Sequence, residues 1–439
     1  MSVAGFEQPA IPPSTEPSNG DQEKWFGRLR GLLRFLADLG PYALAFTTYS
    51  LFLDHVSDEW IPPDGLRYGV AIVTALFFGL ALRQILQLET IQHFLGGAPN
   101  PVAAMLPRQR GSTENDHGSF YEILDGTHRR LLDRYRCEPR GEIQVCGWSQ
   151  FYDEKVPPSA IGSSYGLRIA MALDVRDLKI DRHRVIQSIL AMQRPGGGWS
   201  ASNQREVGRP EVTAWVLGAL APAGLSAEER ARLVETLEKL LDDKTDPVGM
   251  ASTCVVATAV SALALFSPGS SRLPDLADRL ADGPVGGTRE RPRWSATLRA
   301  PVGTESVPHT ARAIVALHRA AEVLSNGRDL KQLAGAAAGW LCESTDLAVQ
   351  SEQIRRTHNG ESDVLVVNHF TPAWVARALM LEGQDPLRSE PLRDAVGAVV
   401  ERQERGVWKW VDHREPVWMA YQGVSVLRDF GIRARASIY

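Results

Sequence analysis

The string Asp242-Asp243-Lys244-Thr245-Asp246 spaces its carboxylates as DDxxD, a pattern that can hold Mg²⁺ against a diphosphate. Its setting argues against that chemistry. It closes a polar helical segment just ahead of Pro247, no second acidic motif faces it, and short strings match often by accident. It is expected to be a solvated acidic helix end. Asp363, His369 and Cys342 are the nearest materials for a zinc site, but they reproduce no familiar ligand pattern. His369 beside Asn368 reads as part of a helix cap, and His309 follows Pro308 in a first helical turn with no nearby partner. Cys137, Cys146, Cys254 and Cys342 show no CxxC spacing, so they are expected to be reduced, packed thiols. No metal and no cofactor is expected.

The chain that must position any site has 439 residues, 44% hydrophobic and 23% charged, ample for a large core. A net charge of −4 and a pI near 6.2 argue against a dedicated nucleic-acid binder. Residues 1–22 are expected to be a disordered tail, 23–97 a membrane hairpin with a following helix, and 98–116 a linker. Two apolar stretches, Gly40–Leu53 and Tyr68–Leu82, fall short of the ~20 residues of a comfortable span. A buried helical hairpin therefore competes with a membrane one. All-round apolarity, Trp60 and Tyr68 near the interface, and charge asymmetry favour the membrane. Lys24, Arg28, Arg30 and Arg34 precede the pair, Arg83, Arg108 and Arg110 follow it, and the loop between is acidic. Residues 38–86 should then contact lipid in a bacterial-type inner membrane, with both termini cytoplasmic.

From 117 to 439 the pattern is helical, with no convincing strand alternation. Six small-residue segments recur: 163–173, 210–220, 255–265, 307–317, 369–379 and 417–427. Thr-Ala stands at one place in three of them (Thr213-Ala214, Thr258-Ala259, Thr310-Ala311). Amphipathic segments alternate with them, several ending in a Trp turn at Trp148, Trp199, Trp294 or Trp408. Small residues suit a close-packed inner ring and the polar segments an outer one. An unpaired outer segment opens the series and an unpaired inner one ends it. Joining the two gives six pairs and a closed (α/α)6 toroid, an all-α fold, with no need for capping repeats.

Gln193–Trp199 (QRPGGGW) is similar to the QW motif of squalene-hopene cyclases, and the Thr-Ala helices resemble prenyltransferase/squalene-oxidase repeats. The resemblance covers residues 117–439. It implies a terpenoid cyclase-like toroid, and cyclisation by a buried acid or zinc-assisted prenyl transfer. The cyclases' DxDD is absent, as is the Cys-His-Gly signature of lanthionine cyclases, and whether the chain is an enzyme stays open.

Helical spacing places Arg168, Trp215, Val260, Arg312, Trp374 and Gln422 toward the lumen, with Tyr165 and His309 on the neighbouring lining position. Arginines and tryptophans in one cavity suit an anionic ligand with an apolar part: an isoprenoid diphosphate, a nucleotide or an acidic peptide terminus. Alternatively, Arg168 and Arg312 pair with Glu211 or Glu415 and the tryptophans merely fill space. The expected function is a membrane-anchored, non-catalytic sensor or effector, possible in signalling or defence, that binds such a ligand or a protein. The alternative is a terpenoid cyclase- or prenyltransferase-like enzyme acting on an isoprenoid.

Overall fold

Helix caps divide the chain much as its apolar periodicity does. The first helix described, α1 (Phe120–Arg134), starts at Ser119 with a capping box to Glu122. The computed structural model describes residues 119–175, 179–201, 207–287, 289–344, 346–358 and 361–437. The expected tail, membrane hairpin and linker lie outside these residues. Among the described residues, no helix is long and apolar enough to cross a membrane.

Six helices carry the small-residue repeats: α2 (Ala160–Ala172), α4 (Pro210–Leu220), α7 (Thr253–Phe266), α9 (Val307–Ala321), α11 (Thr371–Leu381) and α13 (Val417–Ala436). Each packs on the next in that order, and α13 packs back on α2, which closes the ring. Outside them lie α1, α3 (Arg182–Ala191), α5 (Ala227–Leu240), α8 (Arg272–Ala281), α10 (Gly327–Glu343) and α12 (Glu390–Glu401), each against one or two inner helices. A short helix, α6 (Pro247–Ala251), leads into α7. Inner helices are buried nearly all round, as in α7, because they have neighbours on three sides. Outer helices bury a single stripe, as in α5 with Leu233, Val234 and Leu237.

The Trp turns are staples. The indole N–H groups of Trp148, Trp199, Trp294 and Trp408 donate to Leu131, Ile189, Leu280 and Val399 at 2.8, 2.8, 2.9 and 2.9 Å. Each acceptor lies near the end of the preceding outer helix, where carbonyls lack helical partners. The hydroxyls of Ser163, Thr213 and Thr310 accept the backbone N–H of Trp148, Trp199 and Trp294. That explains two of the three Thr-Ala pairs. The third differs: no Trp turn precedes α7, and the Thr258 hydroxyl donates to its own helix at Cys254. Gly166 and Gly423 lie under indole rings, where a Cβ would come within 2.2 Å of Trp148 and 2.3 Å of Trp408.

Two expectations are corrected. The ring domain is not purely helical, because three antiparallel hairpins interrupt it: β1 (Arg136–Arg140) with β2 (Ile143–Gly147), β3 (Gln350–His358) with β4 (Glu361–His369), and β5 (Gln403–Glu404) with β6 (Val407–Trp408). The thiols Cys137 and Cys146 are directly opposed across β1 and β2, Cα atoms 4.0 Å apart, and form a disulfide. A nine-residue separation brings them together only once the hairpin exists. Cys254 and Cys342 are free.

The β3–β4 hairpin is the largest departure. Glu352 pairs with Val367, Ile354 with Leu365 and Arg356 with Asp363. Its inward face therefore mixes charged and apolar side chains, which erases the polar–apolar alternation of an ordinary half-buried strand. The Asn359-Gly360 dipeptide between the strands is a strong hairpin signal in its own right. The hairpin meets the N-terminal ends of α4, α6 and α9 through Arg356–Glu211, Arg356–Asp246 and Gln350–Ser306.

Candidate functional site

The inner helices surround a cavity with about 540 Å³ of open space, counting the part continuous with solvent. Tyr165 and Arg168 reach it from α2, Trp215 and Gly218 from α4, and Thr258, Ser261 and Leu265 from α7. Arg312 and Arg319 come from α9, Trp374 and Arg377 from α11, and Tyr421 and Gln422 from α13. The structure thus brings together Tyr165, Arg168, Trp215, Arg312, Trp374 and Gln422. It does not bring in His309, which is buried at the head of α9, nor Val260, which is buried in the wall. On α7 the lining face carries Thr258 and Ser261 instead of Val260.

Arg319, Arg377 and Tyr421 escaped the sequence reading. Their signal was present: Arg319 lies seven residues after Arg312, and Arg377 three after Trp374, so both fall on the lining face one or two turns deeper. The cavity therefore holds four arginines, and no carboxylate lies among its lining residues. The expected pairing of Arg168 or Arg312 with Glu211 or Glu415 is not what the structure shows. Glu211 is engaged by Arg209 and Arg356, Glu415 by Arg130, and Asp363 by Arg209. Aromatic rings take the carboxylates' place. The Arg168 guanidinium stands 4.7 Å over Tyr421, and Arg312 and Arg377 stand 4.2 and 5.2 Å over Trp374.

This crowd of cations shifts its own members. Burial, then repulsion from Arg377, lowers Arg319 to about 9, although Tyr421 and, more weakly, Glu322 at the end of α9 partly compensate. Burial pushes the Tyr421 phenol up, but Arg168, Arg377 and Arg319 outweigh it and bring the group down to about 7. Burial raises Tyr165 to about 12 despite Arg168 and Arg312. The field of the cavity favours negative charge. Two buried atoms on its wall lack any protein partner, the Trp374 indole nitrogen and the Gln422 side-chain oxygen. A ligand could satisfy both.

A second polar cluster sits under the hairpin. The Arg356 guanidinium forks onto Glu211 with two 3.0 Å bonds and reaches Asp246 at 2.8 Å. Glu211 is fully buried. Asp246 also caps α6 by accepting from the Gly249 N–H at 2.9 Å. The DDxxD string is thus dismantled: Asp246 serves the hairpin cluster, Asp243 pairs with Arg279 at 2.8 Å, and Asp242 accepts from the Lys244 backbone. Beside this cluster, His309 and His369 flank Glu352, each with Nε2 3.2 Å from a carboxylate oxygen. His369 Nδ1 accepts from Arg312 Nε at 3.1 Å, so His369 touches the cavity wall rather than acting as a cap. Burial, with Arg312 and His309 adding, lowers His369 to about 3 against the opposing pull of Glu352. Cys342 lies on outer helix α10 and is not part of this cluster.

No family model matches the chain, and no curated protein does. Among solved structures it is similar to a type II terpene cyclase, MstE from Scytonema, in its apo form. Identity is 14%, the match covers 72% of this chain and 99% of that chain, and the TM-score is 0.43. A likeness that distant says nothing about substrate or activity. The ring closure described above follows from the packing of the chain's own helices.

Proposed function

We propose that the ring is a binding module whose central cavity takes an anionic ligand with an apolar or aromatic part. One observation carries this reading: Arg168, Arg312, Arg319 and Arg377 share a cavity with no lining carboxylate. Buried arginines left without carboxylates are costly unless something else neutralises them, and guanidinium forks suit phosphate or carboxylate oxygens. Trp215, Trp374 and the small residues of α4 and α7 offer the apolar part a surface. Prenyl diphosphates, nucleotides and acidic peptide termini all fit that description.

The alternative, an enzyme acting on an isoprenoid, draws on the sequence resemblance. A proton-initiated cyclisation needs a strong acid in the cavity, and Glu211, Glu415 and Asp363 are each tied to an arginine elsewhere. Binding is therefore the better-supported reading. The wider setting belongs to the same proposal and rests on the sequence pattern: attachment to an inner membrane through residues 38–86, cytoplasmic termini, and a role as a sensor or effector in signalling or defence.

The test is native mass spectrometry of the detergent-purified full chain, alone and with pyrophosphate, ATP or farnesyl diphosphate. An adduct on the wild type that disappears in Arg168→Ala/Arg319→Ala supports the reading. A wild-type chain that stays empty with all three probes would sink it and leave the outer surface as the place to look for a protein partner.

A further inference from the structure

We infer that His309, Glu352 and His369 form a binding site for one divalent transition-metal ion, with zinc the best match to their donor set. The site is distinct from the arginine cavity and does not depend on the function proposed for it. Its ligands come from three elements: the first turn of α9, the middle of β3 and the last residue of β4.

Geometry comes first. The three ligand atoms lie within 4.8 Å of one another, and each imidazole Nε2 is 3.2 Å from its own oxygen of the single carboxylate. Tetrahedral zinc with bonds of about 2.0–2.1 Å holds its ligand atoms about 3.3 Å apart. Both histidines are at least nine-tenths buried, at 3% and 0% exposure. Two imidazoles and a carboxylate supply three protein ligands and leave a fourth position for water, a common arrangement for zinc.

Proton placement is the second, independent observation. His309 Nδ1 lies 2.8 Å from the Ser306 hydroxyl, itself 3.5 Å from the Gln350 side-chain oxygen, and the neutral tautomer that donates from Nδ1 to Ser306 is the one a metal requires. That tautomer leaves the Nε2 lone pair of His309 facing an oxygen of Glu352 across 3.2 Å, and the nitrogen has no hydrogen-bond partner. A buried nitrogen and a carboxylate oxygen this close need a cation between them, a proton on His309 or a metal ion shared with His369.

Arg312 sets the terms of loading. In the metal-free form its Nε–H donates to His369 Nδ1, so the single ring proton of His369 sits on Nε2 and points at Glu352. A metal on Nε2 requires that proton to move to Nδ1, where it would confront the Arg312 N–H. Arg312 must then turn away, and it already rests on the face of Trp374 in the cavity wall. Metal uptake would thus free the Arg312 Nε–H for a cavity ligand. This last coupling alone rests on the anion-binding reading, and linkage makes it reciprocal.

The experiment uses the full chain without a histidine tag, stripped with chelator, incubated with Zn²⁺ or Co²⁺ and desalted, with no anion added beyond buffer. Inductively coupled plasma mass spectrometry should find one Zn²⁺ per chain. The Co²⁺ form should show the visible bands of a low-coordinate nitrogen/oxygen site. Glu352→Gln and His309→Gln should each weaken binding by well over about 100-fold, more than the ~10–100-fold typical of losing a supporting hydrogen bond, while Ser306→Ala should fall within that lower range. No ion retained by the wild type overturns the inference, whatever the variants do. So does wild-type affinity in the Glu352→Gln/His309→Gln double variant, or a Co²⁺ spectrum with thiolate charge-transfer bands, which would move the ion to Cys254 or Cys342. Failure here leaves the arginine cavity untouched, since pyrophosphate binding is read without metal.

Discussion

Two groups of arginines, one under the β3–β4 hairpin and one in the cavity, could hardly be treated more differently. At the hairpin, Arg209 and Arg356 meet Glu211, Asp246 and Asp363, so charge is balanced by carboxylates at hydrogen-bonding distance. In the cavity, Arg168, Arg312, Arg319 and Arg377 meet aromatic faces and one another. On α4 the two worlds are a single turn apart, Glu211 at one and Trp215 at the other. A balanced cluster is explained by the fold it holds together. An unbalanced one destabilises the fold that contains it, so its explanation lies outside the chain, in whatever completes it.

The sharpest way to break this contrast is to remove one arginine from each group. Arg356→Ala leaves the fully buried Glu211 and the Asp246 carboxylate short of their shared partner, and should lower unfolding free energy by ~3–5 kcal/mol. Arg319→Ala should leave stability unchanged or raise it, because it relieves Arg377. Equal losses in chemical denaturation would erase the distinction. The next effect is on binding: Arg168→Ala/Arg319→Ala should weaken pyrophosphate by about 100-fold, two charge-assisted hydrogen bonds at ~1.5 kcal/mol each. Arg356→Ala, where it still folds, should leave pyrophosphate affinity unaltered.

Smaller still is a pH effect. Tyr421, lowered to about 7, becomes an anion as pH rises and cancels one cavity charge. Anion affinity should therefore fall several-fold as pH rises through neutrality, titration calorimetry being the readout, and Tyr421→Phe should flatten the profile. An affinity that climbs with pH would contradict the sign. Smallest is Trp374→Phe, which keeps the ring under Arg312 but removes the unpartnered N–H, and should cost about 1 kcal/mol of ligand binding.

The repeat was legible because burial on all sides leaves a plain mark. Segments 210–220 and 307–317 match α4 and the head of α9, and 417–427 starts where α13 does. The lining was half legible. One residue per helix follows from the phase of the repeat, but Arg319 and Arg377 required the same face to be followed deeper. The hairpin was illegible by hydrophobicity, since the inward face of β3–β4 carries Glu352, Arg356 and Asp363 alongside Ile354 and Leu365. Without that hairpin, His309 had no partner and His369 looked like a cap. The Cys137–Cys146 pair was hidden for the same reason, since only a turn at Gly141, with φ of +61°, brings its strands together.

Closure of the ring has a consequence for how the protein is made. The seam joins residues from opposite ends of the domain: the Tyr152 N–H donates to the Glu415 carbonyl at 2.8 Å, the Val417 N–H to Gln150 at 3.1 Å, and α13 seals α2. An open array of helix pairs can fold one unit at a time as it leaves the ribosome. Here the first inner helix made keeps one apolar flank bare until the last has been synthesised. Such long-range contacts slow folding and leave intermediates sticky. Nascent chains stalled before Val417 should therefore recruit chaperones and resist compaction, while release of the last helix should trigger cooperative collapse of the whole ring.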